Sequence, residues 1–381
     1  MSTTPLPSTT DTPSSTISKT PSAPSLPPNN YSLNVLEWPE SGDLILPIDG
    51  EVMFPTSIRD LSSGNYLVYL NEEKHEVWYA SLETDISGVL LQPNEEMDLP
   101  DGIASGLGQF LLYDRARVWR FYDLVDQSAW SVGPICLWEQ MSISPDGKWL
   151  GTLCEDVQSN ENSTEFMTLE IISTYEGTGS RFLIPRVTPD QDIINPFLSW
   201  FDFGVLGLSR VWIEDEFRTC HISFLDQFMF CPLIFDPGYL ARQMTIFPGG
   251  DVIPFTDLKS YPWQSALVPI ECLINGERCS GIVELWDIVG VPYASPDPDL
   301  LWWISPLDKT EITLLGVYEG PEWESKEIVS MDGSYSIETM CPDGSCVIIS
   351  DLDSDNFYRL DLDGTVSLLP YEKIIGSFSI P

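Results

Sequence analysis

The sequence predicts an all-β chain built from one small sheet repeated along its length, and three observations predict it. A glycine-bearing turn followed by a β-prone run recurs along the chain. The clearest copies are trailed by further short apolar or aromatic runs. No segment sustains the 3.6-residue apolar period of a helix. The 381 residues are 43% hydrophobic and include 13 Trp, enough core material for one large domain or two ordinary ones.

The chain opens differently. Residues 1–28 hold seven Ser, seven Thr and seven Pro with one Lys and one Asp. So few apolar side chains cannot repay the entropy of ordering, so residues 1–30 are read as a disordered stalk or linker and 31–381 as the folded part. No basic segment followed by an apolar one marks a signal peptide, and no apolar run of about 18 residues marks a membrane span.

Past residue 30 the repeat takes over. Ser144-Pro145-Asp146-Gly147-Lys148-Trp149-Leu150 is its clearest unit, and Cys341-Pro342-Asp343-Gly344-Ser345-Cys346-Val347 the second. Pro presets the first turn dihedral, Asp bonds its own backbone and Gly takes a positive φ, so each unit is a tight turn feeding a strand. Looser copies centre on Gly64, Gly108, Gly204, Gly250 and Pro298, and the seven markers are spaced 44, 39, 57, 46, 48 and 46 residues apart. Such spacing suits one four-stranded sheet per repeat. In the first copy Tyr66–Leu70 is followed by a charged tip, then Val77–Leu82 and Val89–Leu91. Val118–Leu124 holds the aromatic place in the second copy, and Phe357–Leu362 with Val366–Leu369 close the last. Two copies are enlarged, by the polar stretch Glu155–Glu165 and by Phe255–Arg278. The second contains Tyr261 and Trp263, which are the binding-loop candidates because long aromatic loops on a rigid frame carry recognition.

The Ser-Pro-Asp-Gly units at 144–150 and 341–349 resemble the WD40-like repeat of the TolB type, and the looser copies extend that resemblance over most of residues 50–370. It implies a β-propeller of seven blades, or six if the copy near 204 or 298 belongs to an insertion. Residues 31–58 or 371–381 would supply the strand that fastens the ring. The strict WD40 signature is missing: the only Trp-Asp pair is Trp286-Asp287, with no Gly-His before it. The sialidase Asp box is missing too.

The eight cysteines fall in four consecutive pairs: Cys136 and Cys154, Cys220 and Cys231, Cys272 and Cys279, Cys341 and Cys346. Nearest-neighbour disulfides are the expected pairing among 105 connectivities, with buried free thiols as the alternative. Together with the Ser/Thr/Pro tract they place the protein outside the cell or at its surface, any targeting segment being absent from this sequence; a cytoplasmic protein is the alternative. Asn30-Tyr31-Ser32 and Asn162-Ser163-Thr164 fit the N-glycosylation pattern.

Composition narrows the chemistry. With 18 Lys+Arg against 58 Asp+Glu the net charge is −40, which repels nucleic acid and anionic lipid and favours cationic partners. Only His75 and His221 occur, and no G-x-S-x-G elbow, P-loop or complete G-x-G-x-x-G is found. Asp351, Asp353 and Asp355 alternate as in the opening of a calcium loop, the one metal candidate; Asn356 and Leu362 then break the EF-hand pattern, and a solvated turn is the competing reading. No other cofactor is expected. The sequence thus points to a non-catalytic propeller that binds a protein or surface-glycan ligand through loops on one face. Its rivals are a carbohydrate-active enzyme using paired carboxylates and a structural subunit of a surface assembly.

Overall fold

The computed structural model describes residues 30–32, 34–36, 51–52, 54–93, 99–106, 108–114, 117–130, 138–144, 147–155, 166–176, 178–185, 197–202, 205–213, 216–224, 227–231, 239–240, 252–257, 264–269, 283–285, 291–295, 297, 299–305, 312–320 and 323–380. The stalk assigned to residues 1–30 therefore lies outside them, apart from Asn30 itself.

Three short strands come first, β1 (Asn30–Ser32), β2 (Asn34–Leu36) and β3 (Glu51–Val52), followed by α1 (Thr56–Arg59), the one helix among the described residues. Sheet 1 holds β4 (Gly64–Asn71), β5 (Glu76–Ser81) and β6 (Ser87–Leu91). Sheet 2 is β7 (Gly102–Gly106), β8 (Gln109–Asp114), β9 (Arg117–Asp123) and β10 (Ser128–Trp130). Sheet 3 is β11 (Trp138–Ile143), β12 (Trp149–Glu155), β13 (Phe166–Ser173) and β14 (Gly179–Pro185). Sheet 4 is β15 (Phe197–Asp202), β16 (Val205–Ile213), β17 (Glu216–Ser223) and β18 (Phe228–Phe230). Sheet 5 is β19 (Tyr239–Leu240), β20 (Val252–Asp257), β21 (Gln264–Pro269) and β22 (Val283–Leu285). Sheet 6 is β23 (Val291–Ala294), β24 (Leu300–Ile304), β25 (Ile312–Glu319) and β26 (Glu324–Asp332). Sheet 7 is β27 (Tyr335–Met340), β28 (Cys346–Asp351), β29 (Phe357–Asp361) and β30 (Val366–Leu369), and β31 (Lys373–Ile380) returns to pair with β4 as the first strand of sheet 1.

Every sheet is an antiparallel meander in chain order, and each of the seven marker positions stands, in sequence, at the corner leading into a sheet's second strand. The repeat read from the turns is thus the repeat of the sheets. Both ends of the chain fasten it. The C-terminal strand closes sheet 1, while β1, β2 and β3 add fifth strands to the outer edges β18, β14 and β10. The three short strands β1, β2 and β3 therefore lie on the rims of sheets 4, 3 and 2.

Seams between neighbouring sheets are mostly apolar. Phe378 stacks on Phe110 across sheets 1 and 2 at 4.5 Å, Leu111 and Phe121 pack on Leu150 and Ile172 across 2 and 3, and Trp149 meets Phe224 across 3 and 4 at 5.0 Å. Strand β17 lies against β19 across 4 and 5. Leu267 packs with Leu301 and Trp303 across 5 and 6. Trp302 Nε1 donates to Gly344 O across 6 and 7 at 3.2 Å. Ser377 Oγ donates to Met340 O across 7 and 1 at 2.8 Å, where Arg359 Nη1 also donates to Leu82 O. The succession closes on itself, and second strands flanked by sheets on both sides read as apolar runs, Leu300–Ile304 being buried at every position, whereas the outer strand β26 is largely exposed.

The marker turns show why the repeat takes its residues. At the first, Ser144 is fully buried; its Oγ accepts from Trp149 N–H at 2.9 Å, and Gly147 N–H closes on Ser144 O. Gly147 sits at φ +68°, which demands glycine, and a Cβ there would fall 1.4 Å from Gln109 Oε1 of sheet 2 and displace that side-chain amide. At the second, Cys341 takes the place of Ser144 and Cys346 that of Trp149. Gly344 N–H closes on Cys341 O in the same way, and a Cys341–Cys346 disulfide spans the turn where the serine hydroxyl bond spans the other. A loop this short is worth about 2 kcal/mol when cross-linked. The pair Cys341→Ser, Cys346→Ala is expected to lose less stability in a denaturant titration than Cys341→Ala, Cys346→Ala. The difference should be about 1 kcal/mol, the worth of the restored hydroxyl bond.

Candidate functional site

In a meander, links between first and second strands and between third and fourth strands emerge on one face, and the remaining links on the other. In five sheets the first face is tied down by one repeated bond, from the N–H that follows the third strand to a carbonyl at the sheet's first corner. It runs Leu82 to Asn65 (2.9 Å), Leu124 to Gly108 (2.9 Å), Thr174 to Lys148 (2.9 Å), Gly320 to Asp299 (2.8 Å) and Leu362 to Ser345 (3.3 Å). Outside sheet 5 no link on this face exceeds five residues. The opposite face carries the longer links 92–101, 131–137, 156–165, 186–196, 231–238 and 305–311. Long connections gathered on one face of a rigid ring are the geometry of a recognition surface.

Two tips of that face are described in full. In sheet 1, Asn71 Oδ1 accepts from Lys74 N–H at 3.1 Å, and His75 adopts φ +54°, so one predicted histidine is a turn residue. In sheet 7, Asp351 Oδ1 accepts from Asp353 N–H at 2.9 Å and Oδ2 from Ser354 Oγ–H at 2.6 Å, while Asp355 N–H bonds Asp351 O at φ +55°. The hydroxyl of Ser354, then the amide of Asp353, hold the Asp351 carboxyl below the usual carboxylate range. A solvated turn, the competing reading, accounts for these bonds, and calcium at Asp351, Asp353 and Asp355 remains an expectation from the sequence. Asp351 is spent on folding the turn, and among the described residues no group of three or more His, Cys, Asp or Glu is placed to hold a metal ion.

Of the cysteines, Cys220–Cys231 and Cys341–Cys346 are disulfide-bonded as paired from sequence. Cys154 is also disulfide-bonded, and no described cysteine is free. Cys136, Cys272, Cys279 and the loop candidates Tyr261 and Trp263 lie outside the described residues.

The innermost strands, which ring the axis, carry only three carboxylates as described: Glu139 on β11, Asp202 on β15 and Glu338 on β27. Glu338 Oε1 accepts from Ser350 Oγ–H at 2.5 Å. His221 lies on β17 with its ring edge-on to Phe230, 5.6 Å away. Sequence reasoning missed a buried ion pair between the third and fourth strands of sheet 3. Glu170 on β13 is fully buried, paired with Arg181 Nε on β14 at 2.8 Å and accepting from Thr152 Oγ1–H on β12 at 3.4 Å. Burial pushes its carboxyl up, and the Arg181 charge pulls it back down.

Tyrosines between the sheets share one electrostatic signature. Burial, with the neighbouring Tyr371 second, pushes Tyr69 up to about 12, and burial also raises Tyr79 and Tyr113. A folded state that holds these protons more tightly than the unfolded chain has their full benefit below about pH 10, the ordinary tyrosine value. That stability is lost as pH rises from about 10 through 12. Thermal unfolding should therefore be flat with respect to these groups near neutrality and should drop steeply above about pH 10.

These sheets, closed in a ring about an axis, define a β-propeller. Solved structures sharing the fold include prolyl endopeptidases, at 11% identity over 86% of this chain and 50% of that chain with a TM-score of 0.53. A protein assigned as a 6-phosphogluconolactonase from Bacteroides fragilis matches at 13% identity over 84% of this chain and 98% of its own, TM-score 0.51. TolB from Acinetobacter baumannii matches at 10% identity over 84% and 80%, TM-score 0.42. At such identities the likeness is one of fold. No family model matches the chain, and no curated protein matches it.

Proposed function

We propose that this chain is a non-catalytic, exported or cell-surface β-propeller that binds a protein or other ligand through loops on one face. The observation that carries the reading is the asymmetry of the two faces in the six sheets other than sheet 5: turns of at most five residues on one face, links of up to 11 residues on the other. The disulfides support assembly outside the cytosol. The net charge of −40 supports a cationic partner and disfavours nucleic acid and anionic membranes. Photo-crosslinkers placed in link 186–196 and, separately, in the turn 124–127 would test it on cells of the native source. A discrete adduct from the link alone is the expected result; adducts from neither, or equally from both, would contradict it. A partner that proves to be another copy or a fixed neighbour would make the protein an assembly subunit.

A further inference from the structure

Beside the tip of sheet 1, Lys74 Nζ lies 4.9 Å from the centre of the Trp78 ring. Trp78 is held in place: its Nε1 donates to Glu76 Oε2 at 2.8 Å. Tyr69, its cross-strand partner, lies 6.4 Å away at a 32° tilt, and Tyr371 stacks on Tyr69 at 4.2 Å and 27°. All three rings are part-buried, whereas Lys74 and the adjoining Glu72 and Glu73 are exposed. The corner sits at the seam of sheets 7 and 1, on the face that carries the long links.

We propose that this aromatic corner is a recognition site for a cationic group of a partner, an Arg, Lys or quaternary ammonium, and that Lys74 is its intramolecular occupant. The inference deepens the binding reading above and rests on it. A cation over an indole is attracted by the negative ring face, and Glu72, Glu73 and Glu76 add charge of the right sign. An exposed contact of this kind is weak, and the long Lys74 stem can swing its ammonium into water. An arriving guanidinium, planar and less strongly hydrated, can stack on the same ring. Fixing Trp78 through Glu76 prepares the ring before any partner arrives, which lowers the ordering cost of binding.

The test uses the intact chain and two defined probes, tetramethylammonium and N-acetyl-arginine methylamide. Binding is followed by calorimetry and by the ¹⁹F signal of 5-fluorotryptophan at Trp78. Saturable binding to the wild type is expected. Lys74→Ala should bind roughly two- to fivefold more tightly, because the internal competitor is gone. Trp78→Leu should lose binding, and Trp78→Phe, which keeps an aromatic face, should weaken it. Lys74→Ala binding no more tightly than wild type would overturn the proposal, as would Trp78→Leu binding as well as wild type. Absence of binding to both wild type and Lys74→Ala would also overturn this site, while the loop-face reading would still be judged by its own crosslinking result.

Discussion

Phe378→Ala is expected to lower the unfolding free energy by about 3–5 kcal/mol, the range for emptying a buried aromatic site. Phe378 is 1% exposed and stacks on Tyr66 at 5.3 Å and on Phe110 at 4.5 Å, so one side chain joins β31 to β4 and sheet 1 to sheet 2. The strand that carries it is the last of the chain yet the first of sheet 1, and seven β4 residues pair with it. Its Gly376, at φ +148° where the β31–β4 register shifts, approaches Ile103 so closely that a Cβ would lie 2.0 Å from Cγ2. Truncation after residue 372 would remove the strand, expose the β4 edge and open the ring between sheets 7 and 1. Denaturant titration of the point variant gives the cost directly. A change under about 1 kcal/mol, the size of an ordinary surface substitution effect, would mean β31 does not fasten the ring.

Arg181→Ala should cost about as much, roughly 3–5 kcal/mol, for a different reason. The substitution leaves the Glu170 carboxylate buried without its counter-charge. Replacing both members by Leu should cost far less, because the desolvation of both ions is then relieved. The deficit of Arg181→Ala should also shrink as pH falls. Burial already raises the Glu170 carboxyl above its ordinary value, and loss of Arg181 removes the charge that lowers it, so the lone carboxyl takes a proton before exposed ones do. Thermal unfolding of wild type and variant across the acid range reads this, and a pH-independent difference would contradict it.

The fold was largely legible because its repeat is written in turn chemistry. Gly147 and Gly344 are demanded by positive φ, so the turns stay recognisable where strand residues vary. The Cys220–Cys231 and Cys341–Cys346 disulfides were legible because each spans one turn or hairpin. Strands β1–β3 were not, since two or three residues cannot display a period, and only the rim of sheets 2–4 gives them partners. Glu170 escaped for a related reason. The alternation of Met167, Thr168, Leu169, Glu170 and Ile171 suggests one wet face, whereas sheets in a ring are covered on both. At the Asp351 turn, carboxylate spacing alone does not reveal which oxygens accept turn hydrogen bonds. Trp78 and Lys74 are four residues apart, and only the hairpin folding back places the ammonium over the ring.

The proposed function places this ring, stapled at Cys220–Cys231 and Cys341–Cys346, outside the cytosol. Intact mass of the protein from its native source, with alkylation before and after reduction, tests that most directly. No alkylation before reduction and eight alkylated cysteines after it are expected. Eight thiols alkylated without reductant would contradict that, and the exported, surface-binding reading would fall with them.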